Sequence, residues 1–325
     1  MRLCPKKLPG RGWRGRTTWR RTNHGSGNDS RSTGGGELAG ERRPSSGWRV
    51  AAVLCLAMIP RVWADEPFQK RGDWKPVFQG IELLELEAKE PRLMHGHVVR
   101  IALRTKGLRF LATPDNGERP QHTDGLKTST FLTRYQCQVA INASPFSPIH
   151  AEEDLPQHIE CLTVSEGRIV SPERAGYPAL LISRDNRVAI APPPFALEDV
   201  QHAVCGFGIV LQQGQVREGG PDVHPRTAAG VSQDGHTLYL LVIDGRQPLY
   251  SLGATTREVG EWLAALGAHD GINLDGGGTT TLAIEHPGGV RVVNRPVHGG
   301  WPGKERVTGS HLGVYAPPLD QKPPE

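Results

Sequence analysis

The stretch TTREVGEWLAALGAHDGINLDGGGTTT, residues 255–281, decides the fold reading, because it puts a helix, a strand and a glycine run in immediate succession. Thr255 and Glu258 have capping-box spacing, so each side chain can satisfy the other residue's backbone amide at a helix start. Val259, Trp262, Leu263 and Leu266 recur at helical spacing, which predicts one core-facing stripe. Gly267 is the residue type at which such a helix ends. INLD (272–275) then reads as a strand, followed by three glycines and three threonines. Three consecutive glycines carry a large conformational entropy cost. Either the backbone turns sharply there, or some bulky group approaches it closely.

Outward from this stretch, strands dominate. HVVRIALR (97–104) and CQVAIN (137–142) have the β-branched, alternating character of strands. Four hairpins announce themselves by their turns, at Glu166-Gly167, Asp185-Asn186, Gln213-Gly214 and Asp234-Gly235. TTLAIEH (280–286) and VRVVN (290–294) follow the glycine run, and GSHLGVYA (309–316) is the last expected strand. The expected class is α+β (mixed α/β): a strand-rich mixed sheet with a few packed helices. A single large domain is expected over 97–325, with 65–96 as an N-terminal extension.

The first 49 residues hold twelve Arg or Lys against three acidic residues, with much Gly and Ser. Such a segment cannot bury a core. VAAVLCLAMI (50–59) is a short apolar run, and Val62 and Ala64 are the small residues expected before a cleavage site. Basic region, apolar run and small-residue site together read as a leader plus signal peptide over 1–64, cleaved near Ala64. The run is too short to span a membrane comfortably. An exported product, periplasmic or secreted, is expected, without stable membrane insertion. Residues 1–64 account for +10 of a net charge of +4, so the remainder is about −6. A nucleic-acid partner would rest on the leader alone, and none is expected. Cys4 and Cys55 fall in the leader. Cys137, Cys161 and Cys205 match no zinc spacing. Cys137 and Cys161 are candidates for a bridge, and a buried thiol is the alternative for each.

Polar groups cluster at strand ends, where sites are usually built. HPRT (224–227) precedes a strand, VIDGR (242–246) and VNRP (293–296) end strands, and KER (304–306) lies in a Gly/Pro-rich loop. No Lys-Ser or Lys-Thr follows the glycine run, so a nucleotide P-loop is excluded. Taken in order, AINASPF (140–146), GFGIVLQQGQV (206–216), HPRTAAGV (224–231), VIDGR, residues 253–282, VVNRP (292–296) and Glu305-Arg306 resemble the phosphodiester glycosidase domain. One departure stands out: the family's usual Asn-Gly-Gly-Phe-Phe is here Asn142-Ala143-Ser144-Pro145-Phe146, which predicts a narrower pocket.

The resemblance implies hydrolysis of a sugar–O–phosphate bond in a sugar-phosphate or glycan phosphodiester. Asp275, Asp244 and Glu305 are the candidate catalytic carboxylates. Arg226, Arg246 and Arg306 are candidate phosphate forks, and the amides of Gly276, Gly277 and Gly278 a candidate phosphate cradle. His224 can act as acid or donor. Thr227, Thr279, Asn142, Asn273 and Asn294 are candidate partners for substrate hydroxyls. Asp244, Asp275 and the asparagines also suit a hard cation such as calcium, a possible cofactor. The rival reading is a secreted glycan-binding protein with the same pocket and no turnover. The sugar, the aglycone and the oligomeric state leave no sequence signal.

Overall fold

The computed structural model describes residues 66–319; the basic leader, the apolar run, the expected cleavage site, Cys4 and Cys55 lie outside them. A nine-stranded sheet carries the core. Its path runs Gln69–Lys70, Ile81–Ala88, Met94–Ala102, Thr237–Ile243, Arg226–Val231, Asp270–Asn273, Gly208–Gln212 and Gln215–Val216, with Lys75–Phe78 also paired to Ile81–Ala88. One five-stranded sheet contains Leu282–His286, Val139–Asn142, His311–Tyr315 and Arg109–Ala112. A second contains Thr163–Ser165, Val200–Cys205 and Ala179–Ser183, and two small sheets complete the set.

Every strand pairing among the described residues is antiparallel. The expected mixed sheet is corrected by this. Helix α2 (Thr256–Leu266) connects two strands that run in the same direction, Thr237–Ile243 and Asp270–Asn273. Those two strands flank Arg226–Val231 and each pairs antiparallel with it, so they never pair with each other. The fold is mostly β, in several sheets, and α+β describes it only loosely.

The layers follow from alternation. Along Ile81–Ala88, Ile81, Leu84, Leu86 and Ala88 are buried. One apolar core lies between the nine-stranded sheet and the five-stranded sheets, and joins Val99, Ile101, Val139, Ile141, Leu180, Val204 and Leu240. On the other face of the large sheet, α2 inserts Val259, Trp262 and Leu263 against Val98, Ala228 and Leu241. Trp262 is fully buried, which contributes on the order of 3 kcal/mol at the usual area coefficient. The capping box of Thr255 and Glu258 is formed, and Gly267 ends the helix at φ 103°. The described part of 65–96 is integral to this sheet, through Ile81–Ala88 paired along its whole length with Met94–Ala102.

A second helix, α1 (Thr128–Tyr135), covers the outer face of one five-stranded sheet through Phe131 and Leu132. Its N-cap residue Lys127 makes no side-chain cap. Of the two readings open for Cys137, the buried thiol holds and the bridge to Cys161 does not: Cys161 is bonded to Cys205, and Cys137 is a free, buried thiol. Pairing of Thr163 with Val204 in one sheet brings residues 161 and 205 together. Cys137 instead packs beneath α1 in another layer.

Candidate active site

Register places the site. Arg226 opens its strand opposite Ile243, where the neighbouring strand ends, and Ala228 faces Asn273, where the other neighbour ends. Arg226, Asp244 and Asp275 therefore share one edge of the large sheet. The facing sheet brings Asn142 to the same place, because its strand ends opposite the start of His311–Tyr315. The two edges are stitched by Asp275 N donating to Ala143 O (2.8 Å), while Asn142 N donating to Thr281 O (3.3 Å) and Leu274 N donating to Thr227 O (2.9 Å) extend the pairing within each sheet.

Asn142 is the hub of this seam. Its amide donates to Asp275 O (2.7 Å) and Thr279 Oγ1 (3.2 Å), and accepts from Thr227 Oγ1 (2.8 Å) and Thr281 N (3.1 Å). Two donations and two acceptances use its full capacity. Asn142 and Thr227 thus hold the site together and offer no atom to a sugar. Asn294 is similar, accepting from Leu282 N and donating to Asp244 Oδ1 and Thr280 O. Asn273 is buried and donates to Leu274 O. Ala143 and Ser144 are wholly buried, and Ser144 Oγ accepts from Cys205 N. The side chains that replace the usual glycines therefore take no room from the cleft, contrary to the expected narrowing.

The glycine run has three separate reasons. A Cβ on Gly276 would lie 2.7 Å from Pro225 O. Gly277 has φ +67°, in the left-handed region that favours glycine. A Cβ on Gly278 would overlap the guanidinium of Arg306. Two amides of the expected cradle are committed within the chain: Gly277 N donates to Pro225 O (2.9 Å) and Gly276 N is turned to the Asp275 carboxylate. What approaches the run is a pair of arginines. Arg246 Nη2 lies 3.2 Å from the position of a Gly277 Cβ, and Arg306 lies over Gly278.

These guanidiniums are held by neutral groups. Arg306 Nε donates to His298 Nδ1 (3.1 Å), and Arg246 Nη2 lies 3.4 Å from His224 Nδ1. Arg226 donates through Nε to Ala254 O (2.8 Å) and through Nη2 to Asp222 O (2.6 Å), so most of its fork is engaged with backbone. Burial first, then the neighbouring Arg226 and Arg246 charges, lower the His224 pKa. Burial, then Arg306 and Lys304, do the same to His298. Both shifts favour the neutral ring. His298 had no sequence signal of its own; only its place between VNRP and Glu305-Arg306 hinted at it.

The three candidate carboxylates meet different fates. Asp275 is only partly accessible, and dense packing pushes its pKa up to about 6, opposed by the Thr279 hydroxyl, the Gly276 amide and the Arg306 charge. Thr279 Oγ1 lies 3.0 Å from Asp275 Oδ2 and 2.7 Å from Gly276 O. Asp244 is 1% exposed and accepts from Asn294 Nδ2, Arg295 N and the Tyr250 hydroxyl. Burial raises its pKa, and those donors oppose the rise. Glu305 accepts from Ser129 N (3.1 Å) and Ser129 Oγ (2.5 Å), and so supplies the missing cap of α1. Among the described residues no three His, Cys, Asp or Glu side chains group to hold a metal ion. Arg226, Arg246 and Arg306 lie along this edge, which suits an anion.

The family model described as phosphodiester glycosidase matches residues 135–315. Two solved structures are similar in fold. The catalytic domain of zebrafish N-acetylglucosamine-1-phosphodiester α-N-acetylglucosaminidase, auto-inhibited by its pro-peptide, has a TM-score of 0.55 at 17% identity, over 77% of this chain and 88% of that one. A putative exported protein of Burkholderia pseudomallei has a TM-score of 0.53 at 17% identity, over 70% of this chain and 75% of that one. No curated protein matches in sequence. The matched segment spans more than half of the chain and carries Asn142, Arg226, Arg246, Asp275 and Arg306, so the chain belongs to the phosphodiester glycosidase family.

Proposed function

We propose that the protein is exported and hydrolyses the glycosidic bond of a sugar-1-phosphodiester. The observation that carries this reading is a partly accessible carboxylate, Asp275, at the head of a glycine run with Arg246 against Gly277 and Arg306 against Gly278. Both guanidiniums have neutral partners, which leaves their charge available to a phosphodiester oxygen. In this reaction water adds to the anomeric carbon and the C1–O bond breaks. The bond's electron pair leaves with the phosphate monoester, stabilised by Arg246 and Arg306. Asp275, ionised, takes the proton of the attacking water. A pKa near 6 suits a base working near neutral pH. A phosphate monoester leaves without a proton, so no second carboxylate is needed, consistent with Asp244 and Glu305 being engaged elsewhere.

Support for export comes from residues 50–64 and from the exported protein of similar fold. The test is a panel of sugar-1-phosphodiesters followed by NMR. Free sugar plus a phosphate monoester is the expected outcome. Sugar-1-phosphate as product would mean P–O cleavage at the aglycone and would contradict the assignment, and so would no turnover of any member.

A further inference from the structure

Next to Arg306 lies a second concavity, of about 370 Å³, lined by Lys127, His150, His298, Lys304 and Glu305. That volume is in the range of small-ligand sites, about 300–1,000 Å³. His298 belongs to both places, since it lines this concavity and accepts the Nε–H of Arg306. Because Nδ1 is the acceptor, the neutral ring carries its proton on Nε2 and retains one donor. The acidic residue of the lining is already satisfied, with Glu305 accepting both hydrogen bonds from Ser129. Lys127 Nζ lies 4.0 Å from the part-buried Glu153, whose carboxylate also accepts the Lys127 backbone N–H, and nearly half of the lysine side chain stays exposed. The concavity therefore presents two ammonium groups and two imidazoles beside one carboxylate, Glu305, whose hydrogen bonds are directed at Ser129.

The geometry points to an aglycone subsite: we propose that this concavity takes a second anionic group, a phosphate or carboxylate, carried by the alcohol of the phosphodiester. The inference rests on the hydrolytic reading and narrows its substrate to diesters with at least two negative charges. The path runs from Asp275 through Arg306 to His298 and into the concavity, so one anion sits on the arginines and the next beside the lysines.

Two measurements separate this idea from its parent. Binding of propane-1,3-diol bisphosphate and of propyl phosphate to the protein is measured by calorimetry. The bisphosphate is expected to bind at least about tenfold more tightly, with the advantage shrinking as salt rises. In the Lys127→Gln, Lys304→Gln double variant the ratio falls to about one. Hydrolysis is then compared for two diesters of one sugar, with a propyl or a 3-phosphopropyl aglycone. A bisphosphate preference that depends on the lysines, without hydrolysis of either diester, keeps the subsite and overturns the hydrolase. Turnover of both diesters with equal kcat/KM, and equal binding of the two phosphates, keeps the hydrolase and overturns the subsite. A preference that survives the double variant also overturns it.

Discussion

Asp244 and Asp275 stand at the same edge of the same sheet, each just past a strand and each followed by glycine, yet they are opposites. Around Asp244 every hydrogen-bond donor to the carboxylate is neutral: the Asn294 amide, the Arg295 backbone and the Tyr250 hydroxyl. Around Asp275 the neighbours are a hydroxyl, one backbone amide and a guanidinium, and part of the surface remains accessible. The first aspartate clasps two chain segments and so positions Arg246, two residues further on. The second keeps unmet capacity next to cations. A carboxylate becomes chemical when its environment leaves something for a ligand to satisfy.

The largest effect that sharpens this contrast is expected at the clasp. Asp244→Ala strips an acceptor from one buried donor and two part-buried ones, so urea unfolding should show a loss of about 3 kcal/mol, at 1–3 for each group left unsatisfied. A loss under about 1 kcal/mol would erase the contrast. Next comes Gly278→Ala, which displaces the Arg306 guanidinium at a backbone position that needs no positive φ. Here kcat/KM on a phosphodiester should drop about a hundredfold, near 2.7 kcal/mol, with the fold intact by circular dichroism. Arg246→Lys follows, replacing a fork with a point charge, with KM rising about tenfold, near 1.4 kcal/mol. An unchanged KM would take Arg246 out of the phosphate site.

The smallest effect is in stability against pH. Burial raises the Asp275 pKa to about 6 from an ordinary value of 3.8, so the folded chain holds that proton more tightly than the unfolded chain. Below about pH 4 both states are protonated and the carboxyl costs nothing. As pH climbs from about 4 to 6 the unfolded chain ionises first, and the cost is complete by pH 7. Two units amount to about 3 kcal/mol, discounted to about 1 because Asp275 is partly accessible. Asp275→Asn should therefore melt higher than the parent at pH 7 and equally at pH 4. An equal melting temperature at both values would place the carboxylate in solvent.

Much of the scaffold was legible because its signals are local. The Thr255 capping box, the Gly267 stop and the turn residues Glu166, Asn186 and Gln213, all at positive φ, are written in adjacent residues. Helix α1 was not, because its cap comes from Glu305, 176 positions away from Ser129. The Cys161–Cys205 pairing was hidden for the same reason: it depends on which strands share a sheet. At the site, residue type was legible and role was not. Asn142 and Asn294 carry the amides a sugar site needs, but the chain itself consumes them. The glycine run was right as a signal of close approach, and two arginines lie against it.

Turnover of Asp275→Asn at pH 7, measured with its melting temperature, tests most directly whether Asp275 is the working carboxylate. The expected result is a loss of about a hundredfold or more in kcat, the range for a positioned base, in a protein that melts at or above the parent temperature. Near-full turnover with an unchanged melting temperature would make the aspartate and its three glycines architecture, and would contradict the catalytic assignment.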